Sequence, residues 1–197
     1  TSTKWPPDAM AIPSGTASST DRERAMSEHV VYFAHGKESG PWGIKITALA
    51  QVARELGLAV ESPDYQGLSG PARVDKLLAL MNDESRQPIL VGSSMGGYVA
   101  AATANLCEVA GLFLLAPALY IDRPDYPQSH FVPRTRQRVV IHGWRDEIVP
   151  VAAALRFASE VECDLHLLLS GHDLVDRLTD LEQLFRLFLA RILGAQT

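Results

Sequence analysis

From residue 29 onward the chain alternates between two hydrophobic patterns. Short runs are apolar at nearly every position. The longer stretches between them carry an apolar residue every third or fourth place. The unbroken runs predict strands at 30–34 (VVYFA), 59–62, 88–92 (PILVG), 111–117 (GLFLLAP), 138–143 (RVVIHG) and 164–169 (DLHLLL). The periodic stretches predict helices. Ile46, Leu49, Ala53 and Leu56 share one face of a helix over 43–56, with Gly57 as its cap. Pro71 opens a second helix whose inner face holds Val74, Leu77, Leu78 and Met81. Helices follow over 96–108 and from Pro150 to near Ser159. A final helix over 174–193 is drawn by Leu174, Leu178, Leu181, Phe185, Phe188 and Ile192.

Strands that alternate with helices require right-handed crossovers, so the expected class is α/β. The architecture is a mainly parallel six-stranded sheet with helices on both faces. Strands without polar alternation agree with a sheet buried on both sides. One domain is expected over 29–197. Its longest irregular stretch, 117–136, contains Pro117, Pro124, Pro127 and Pro133. A loop of that length reads as a short lid. Residues 1–28 are rich in Ser, Thr, Pro and charge and have no period, so a flexible segment is expected there, with Met26 as an alternative start. That segment has no apolar core of the kind a secretory signal needs.

Composition narrows the function classes. A net charge of -5 argues against a nucleic-acid partner, whose binders carry a basic face. No run approaches the length of a membrane span. With neither span nor export signal, the expected compartment is the cytoplasm. The two cysteines, Cys107 and Cys163, lie in apolar segments far apart and read as reduced packing residues. Asp64, Asp122 and Asp125 lack an ordered ligand spacing. No phosphate loop or dinucleotide fingerprint occurs, so no metal or cofactor is expected.

The chemistry starts at Gly92-Ser93-Ser94-Met95-Gly96, between a predicted strand and a predicted helix rich in alanine. A strand that turns at once into a helix forces the residue at the tip into a strained conformation and lifts its side chain clear of the sheet. Residues two positions to either side must be tiny, and Gly92 and Gly96 are. The following helix points its positive end at Ser94. Ser93 lacks such flanking glycines. A serine hydroxyl needs a base, and in this type of site an acid and then a histidine follow, each after a strand. Asp146 follows the 138–143 run and His172 follows the 164–169 run. Glu147 is the rival acid, and Asp173 is too close in sequence to His172 to reach its ring. His29 is expected to be solvated. His130 falls in the Pro-rich loop, and His142 and His166 read as core or edge residues. His35-Gly36 follows the first strand, where the loop contributes a second oxyanion donor. The backbone N–H groups of Lys37 and Met95 are therefore the expected oxyanion hole, and His35 is expected to brace the loop. Trp42, Tyr120, Phe131 and Trp144 lie near loops expected to rim the site and are candidate substrate contacts.

Together, His35-Gly36, the Gly92–Gly96 turn, His142-Gly143 with Asp146 and Val149-Pro150, and Gly171-His172 resemble the α/β-hydrolase fold over residues 29–193. Within that superfamily the chain is similar to small cap-less bacterial serine esterases. The opening two-strand hairpin of larger members and their cap insertion are absent. The resemblance implies a Ser-His-Asp esterase acting on a small-molecule ester through an acyl-enzyme. The same machinery would serve a thioesterase or amidase, and a non-catalytic binding protein on this fold is the alternative of a different class.

Overall fold

The computed structural model describes residue 20 and residues 28–194. The expected flexible segment 1–28 therefore lies, but for residues 20 and 28, outside the described residues. Six strands form one sheet: β1 (His29–Ala34), β2 (Ala59–Glu61), β3 (Gln87–Ser93), β4 (Gly111–Leu115), β5 (Arg138–Gly143) and β6 (Asp164–Leu168). Their spatial order is β2-β1-β3-β4-β5-β6, and every neighbouring pair is parallel. The five helices between and after them are α1 (Ile44–Glu55), α2 (Gly70–Asn82), α3 (Met95–Leu106), α4 (Val151–Val161) and α5 (Leu178–Ile192).

Alternate strand residues feed two cores. Val31, Phe33, Ile89, Val91, Phe113 and Ile141 point to the face covered by α1 and α5. Val30, Tyr32, Leu90, Leu112, Leu114 and Val140 point to the face covered by α2, α3 and α4. Burial of both faces is why the strand runs are unbroken in the sequence. Phe185 anchors α5: it is fully buried, with its ring centroid 5.0 Å from that of Phe113 and 6.3 Å from that of Phe33. The direction of strand addition reverses between β1 and β3. Their C-terminal ends thus open a crevice where ligands of open parallel sheets bind.

Three expectations change. The 174–193 stretch is not one helix, because Leu174 takes a left-handed conformation (φ 56°) to bury its side chain. A 3-10 turn, Val175–Arg177, follows before α5 begins at Leu178. β4 stops at Leu115 rather than 117, since Ala116 has φ 42° and its N–H crosses to the Ile141 carbonyl. His29 is buried, not solvated, because it is the first residue of β1, in register with Gln87 of β3. The two cysteines are free, and burial pushes the Cys163 thiol up to about 11. Among the described residues no helix is long and apolar enough to cross a membrane.

Candidate active site

Ser94 joins β3 to α3 with φ 55° and ψ -119°, a strained conformation for a residue with a side chain. Its backbone is held from both sides. Its N–H donates to the Leu115 carbonyl at 2.9 Å, and its own carbonyl accepts from the N–H groups of Gly97 and Ala118, each at 2.9 Å. The glycines around it are steric necessities. A Cβ on Gly92 would strike the Gly96 carbonyl, one on Gly96 would strike the Ala34 carbonyl, and one on Gly97 would lie 2.6 Å from Pro117 Cβ. The helix N-terminus thus packs directly on the ends of β1 and β3, as the small residues of the turn predict.

The loops after β5 and β6 bring two more groups to this point. His172 Nε2 lies 2.9 Å from Ser94 Oγ, and His172 Nδ1 lies 2.7 Å from Asp146 Oδ2. The Asp146 side chain is fully buried, and that of His172 is partly exposed, at 17%. A carboxylate acceptor at Nδ1 fixes the tautomer with the proton there, leaving Nε2 free to accept the serine hydroxyl. The other Asp146 oxygen, Oδ1, takes the backbone N–H groups of Ile148 (2.9 Å) and Val149 (2.8 Å). These bonds aim the carboxylate at the ring. Glu147 and Asp173 both face solvent, so Asp146 is the acid beside the histidine. His142, fully buried, has Nε2 2.9 Å from the Val149 carbonyl and 3.2 Å from Asp146 Oδ2. Burial lowers its pKa and favours the neutral ring.

The loop after β1 is pinned beneath Ser94. His35 is fully buried, its Nδ1–H donates to the Gly36 carbonyl at 2.7 Å, and its Nε2 accepts the Tyr65 N–H at 2.8 Å. Both ring nitrogens serve the backbone, which is bracing as expected, and burial lowers the ring's pKa. Arg73 of α2 is a participant that the sequence reading passed over. Its buried side chain donates from Nε to the Leu68 carbonyl (3.0 Å) and from Nη1 to the carbonyls of His35 (3.0 Å) and Gly36 (3.4 Å). The only signal in the sequence is an arginine beside Val74 on the apolar face of its helix. A trans peptide points its C=O and N–H in opposite directions. Holding the Gly36 carbonyl inward therefore turns the Lys37 N–H outward, toward the cavity that Lys37 lines. Among the described residues neither the Lys37 nor the Met95 N–H has an acceptor.

Ser94 and His172 open into a cavity of about 790 Å³. The 117–136 stretch contributes Ala118, Ile121, Arg123 and Tyr126 to its wall. The four aromatic candidates do not line it. Phe131 is buried in the core, edge-on to Tyr98, Tyr120 and Phe157, because a ring this apolar is worth more under the loop than on its rim. Tyr120 turns to α4, where its hydroxyl donates to Glu160 at 2.7 Å and Arg156 lies over its ring. Trp42 and Trp144 are about half exposed, and Arg54 covers the Trp42 ring. The apolar wall is instead mostly aliphatic, with Ile46, Ile121, Ile148, Val149 and Val175 beside the ring of Tyr126.

Comparison with known proteins places the fold in a family. The alpha/beta hydrolase family matches residues 31–195, and the chain belongs to it. It is similar in structure to a protein of the alpha/beta hydrolase superfamily from Xanthomonas campestris (28% identity, TM-score 0.71, 83% of this chain and 98% of that one). It is also similar to an alpha/beta serine hydrolase without a lid from the same species (24% identity, TM-score 0.67, 86% and 84% covered). Est1E from Butyrivibrio proteoclasticus shares the fold at 18% identity and a TM-score of 0.71 over 84% of this chain and 88% of that one. Among curated proteins nothing matches. Fold and family make this chain a hydrolase.

Proposed function

We propose that the chain is a serine esterase that cleaves small carboxylic esters through an acyl-enzyme, with Ser94 as nucleophile, His172 as general base and acid, and Asp146 as the group that orients and stabilises the imidazolium. The observation that carries this reading is the unbroken line from Asp146 Oδ2 through the His172 ring to Ser94 Oγ, at 2.7 and 2.9 Å. Ser94 Oγ attacks the ester carbonyl carbon as its proton passes to His172 Nε2. The negative charge that develops on the carbonyl oxygen is held by the N–H groups of Lys37 and Met95, the latter at the positive end of α3. The C–O bond to the alcohol breaks, and the alcohol leaves with the proton from His172. Water then attacks the acyl carbon, gives its proton to His172, and the acid departs as Ser94 is restored. The 117–136 segment acts as a short lid over small acyl groups.

Ser94→Ala is expected to lower kcat on p-nitrophenyl acetate by about 10⁴- to 10⁶-fold. A fluorophosphonate should label the native chain at Ser94 and leave the variant unmarked. Undiminished turnover by Ser94→Ala would refute the assignment.

A further inference from the structure

Lys45, in the first turn of α1, lines the same cavity as Ser94 and His172, and the ester chemistry gives it no task. Its side chain is half-buried. Among the described residues its ammonium has neither a hydrogen-bond acceptor nor a carboxylate at ion-pair distance. The other cations on the wall differ. Lys37 Nζ lies 3.3 Å from an Asp125 carboxylate oxygen, and Arg123 is exposed to water.

A cation taken out of water without a partner is costly. Burial pulls Lys45 down to about 8, and Asp173 and Asp146 offset this only in part. The charged and titratable groups sharing its cavity are His35, Lys37 and Glu38 from the loop after β1, Arg123 and Tyr126 from the loop after β4, and His172 and Asp173 from the loop after β6. Glu38 and Asp173 disfavour a doubly charged ligand. One unpaired ammonium among aliphatic side chains fits one negative charge on an otherwise apolar molecule.

Resting on the esterase reading above, we propose that the substrate is an ester that also bears a single carboxylate, and that Lys45 selects it by pairing with that carboxylate while the ester carbonyl sits at Ser94. Lys45 is then a specificity-determining residue. The missing counter-charge arrives with the substrate.

The test uses the full chain and two matched pairs of esters. On the acyl side, mono-p-nitrophenyl glutarate is compared with p-nitrophenyl pentanoate. On the alcohol side, para-acetoxybenzoate is compared with phenyl acetate. At pH 7 the native chain should favour the charged member of at least one pair in kcat/KM by about tenfold or more, the size of one charged hydrogen bond. The preference should reside in KM, fall to near unity in Lys45→Met, survive in Lys45→Arg, and fade as pH rises through about 8, where Lys45 loses its proton. No preference in either pair overturns the proposal. So does a preference that persists in Lys45→Met, or one lost in Arg123→Met instead. Ser94-dependent cleavage of the neutral esters without charge preference removes Lys45's role and leaves the esterase reading standing. Failure to cleave any of the four esters removes both.

Discussion

Two loops wall the same cavity, and the chain secures them by different means. The loop after β1 is held by directional bonds: Arg73 and His35 grip the carbonyls of His35 and Gly36, and Tyr65 grips the His35 ring. The 117–136 segment combines hydrogen bonds to α3, from the Arg134 N–H to the Ala104 carbonyl (2.7 Å) and from the Val132 N–H to Asn105 Oδ1 (2.8 Å), with apolar anchors. Leu119 and Phe131 sink into the core, and Tyr126 packs edge-on to Tyr98 at 5.2 Å. The difference follows from the proposed tasks. An N–H that must meet a developing oxyanion has to be placed to within tenths of an ångström, and only bonds with direction do that. A wall that keeps water off an acyl group needs only to fill volume, and side-chain packing suffices.

The contrast can be broken from either side. Phe131→Ala should cost the largest amount, about 3–5 kcal/mol of stability in urea unfolding, as for other buried aromatics cut to alanine. The protein that remains folded should keep most of its kcat. Arg73→Met should do the reverse: kcat on p-nitrophenyl acetate should fall about 10²- to 10³-fold, the loss seen when one oxyanion donor is removed. KM should move little and the far-ultraviolet circular dichroism should stay native. A KM effect without a kcat effect would break the link between Arg73 and the Lys37 N–H.

A smaller effect lies in pH. His35 and His142 are both held below their ordinary value near 6.5 by burial, which favours the neutral rings in the folded chain. Below pH 6.5 the unfolded chain takes up protons that these folded rings refuse, and stability falls. Above that pH they are neutral in both states and add no slope. The melting temperature should therefore drop on acidification from pH 7 to 5, and His35→Gln should flatten part of that drop. The smallest effect is expected for Tyr120→Phe. It removes only the exposed bond to Glu160, and melting temperature and turnover should match the native chain.

What the sequence made legible tracks how local the governing physics is. The four central strands, β1, β3, β4 and β5, showed themselves because burial on both faces leaves few polar positions. Ser94 was marked by glycines that its own backbone turn requires, and Asp146 and His172 by their places just past strand ends. Arg73 and Lys45 carried no such mark: each matters through what α1, α2 and the loops bring near it in space. The aromatic candidates were misplaced for a related reason. A stretch of twenty aperiodic residues does not reveal which of its rings turns inward: Phe131 did so, while Tyr126 and aliphatic side chains took the wall. The break at Leu174 was hidden because a residue anchoring a left-handed turn keeps the same apolar spacing as one in a helix.

In the proposed assignment the serine and its base stand 78 residues apart in the chain. During synthesis the sharp turn after β3 emerges from the ribosome well before the imidazole that will draw off its proton. Until the final third of the polypeptide has docked against β4, the hydroxyl is an ordinary alcohol. On that assignment the serine gains its base only once the loops after β5 and β6 are in place.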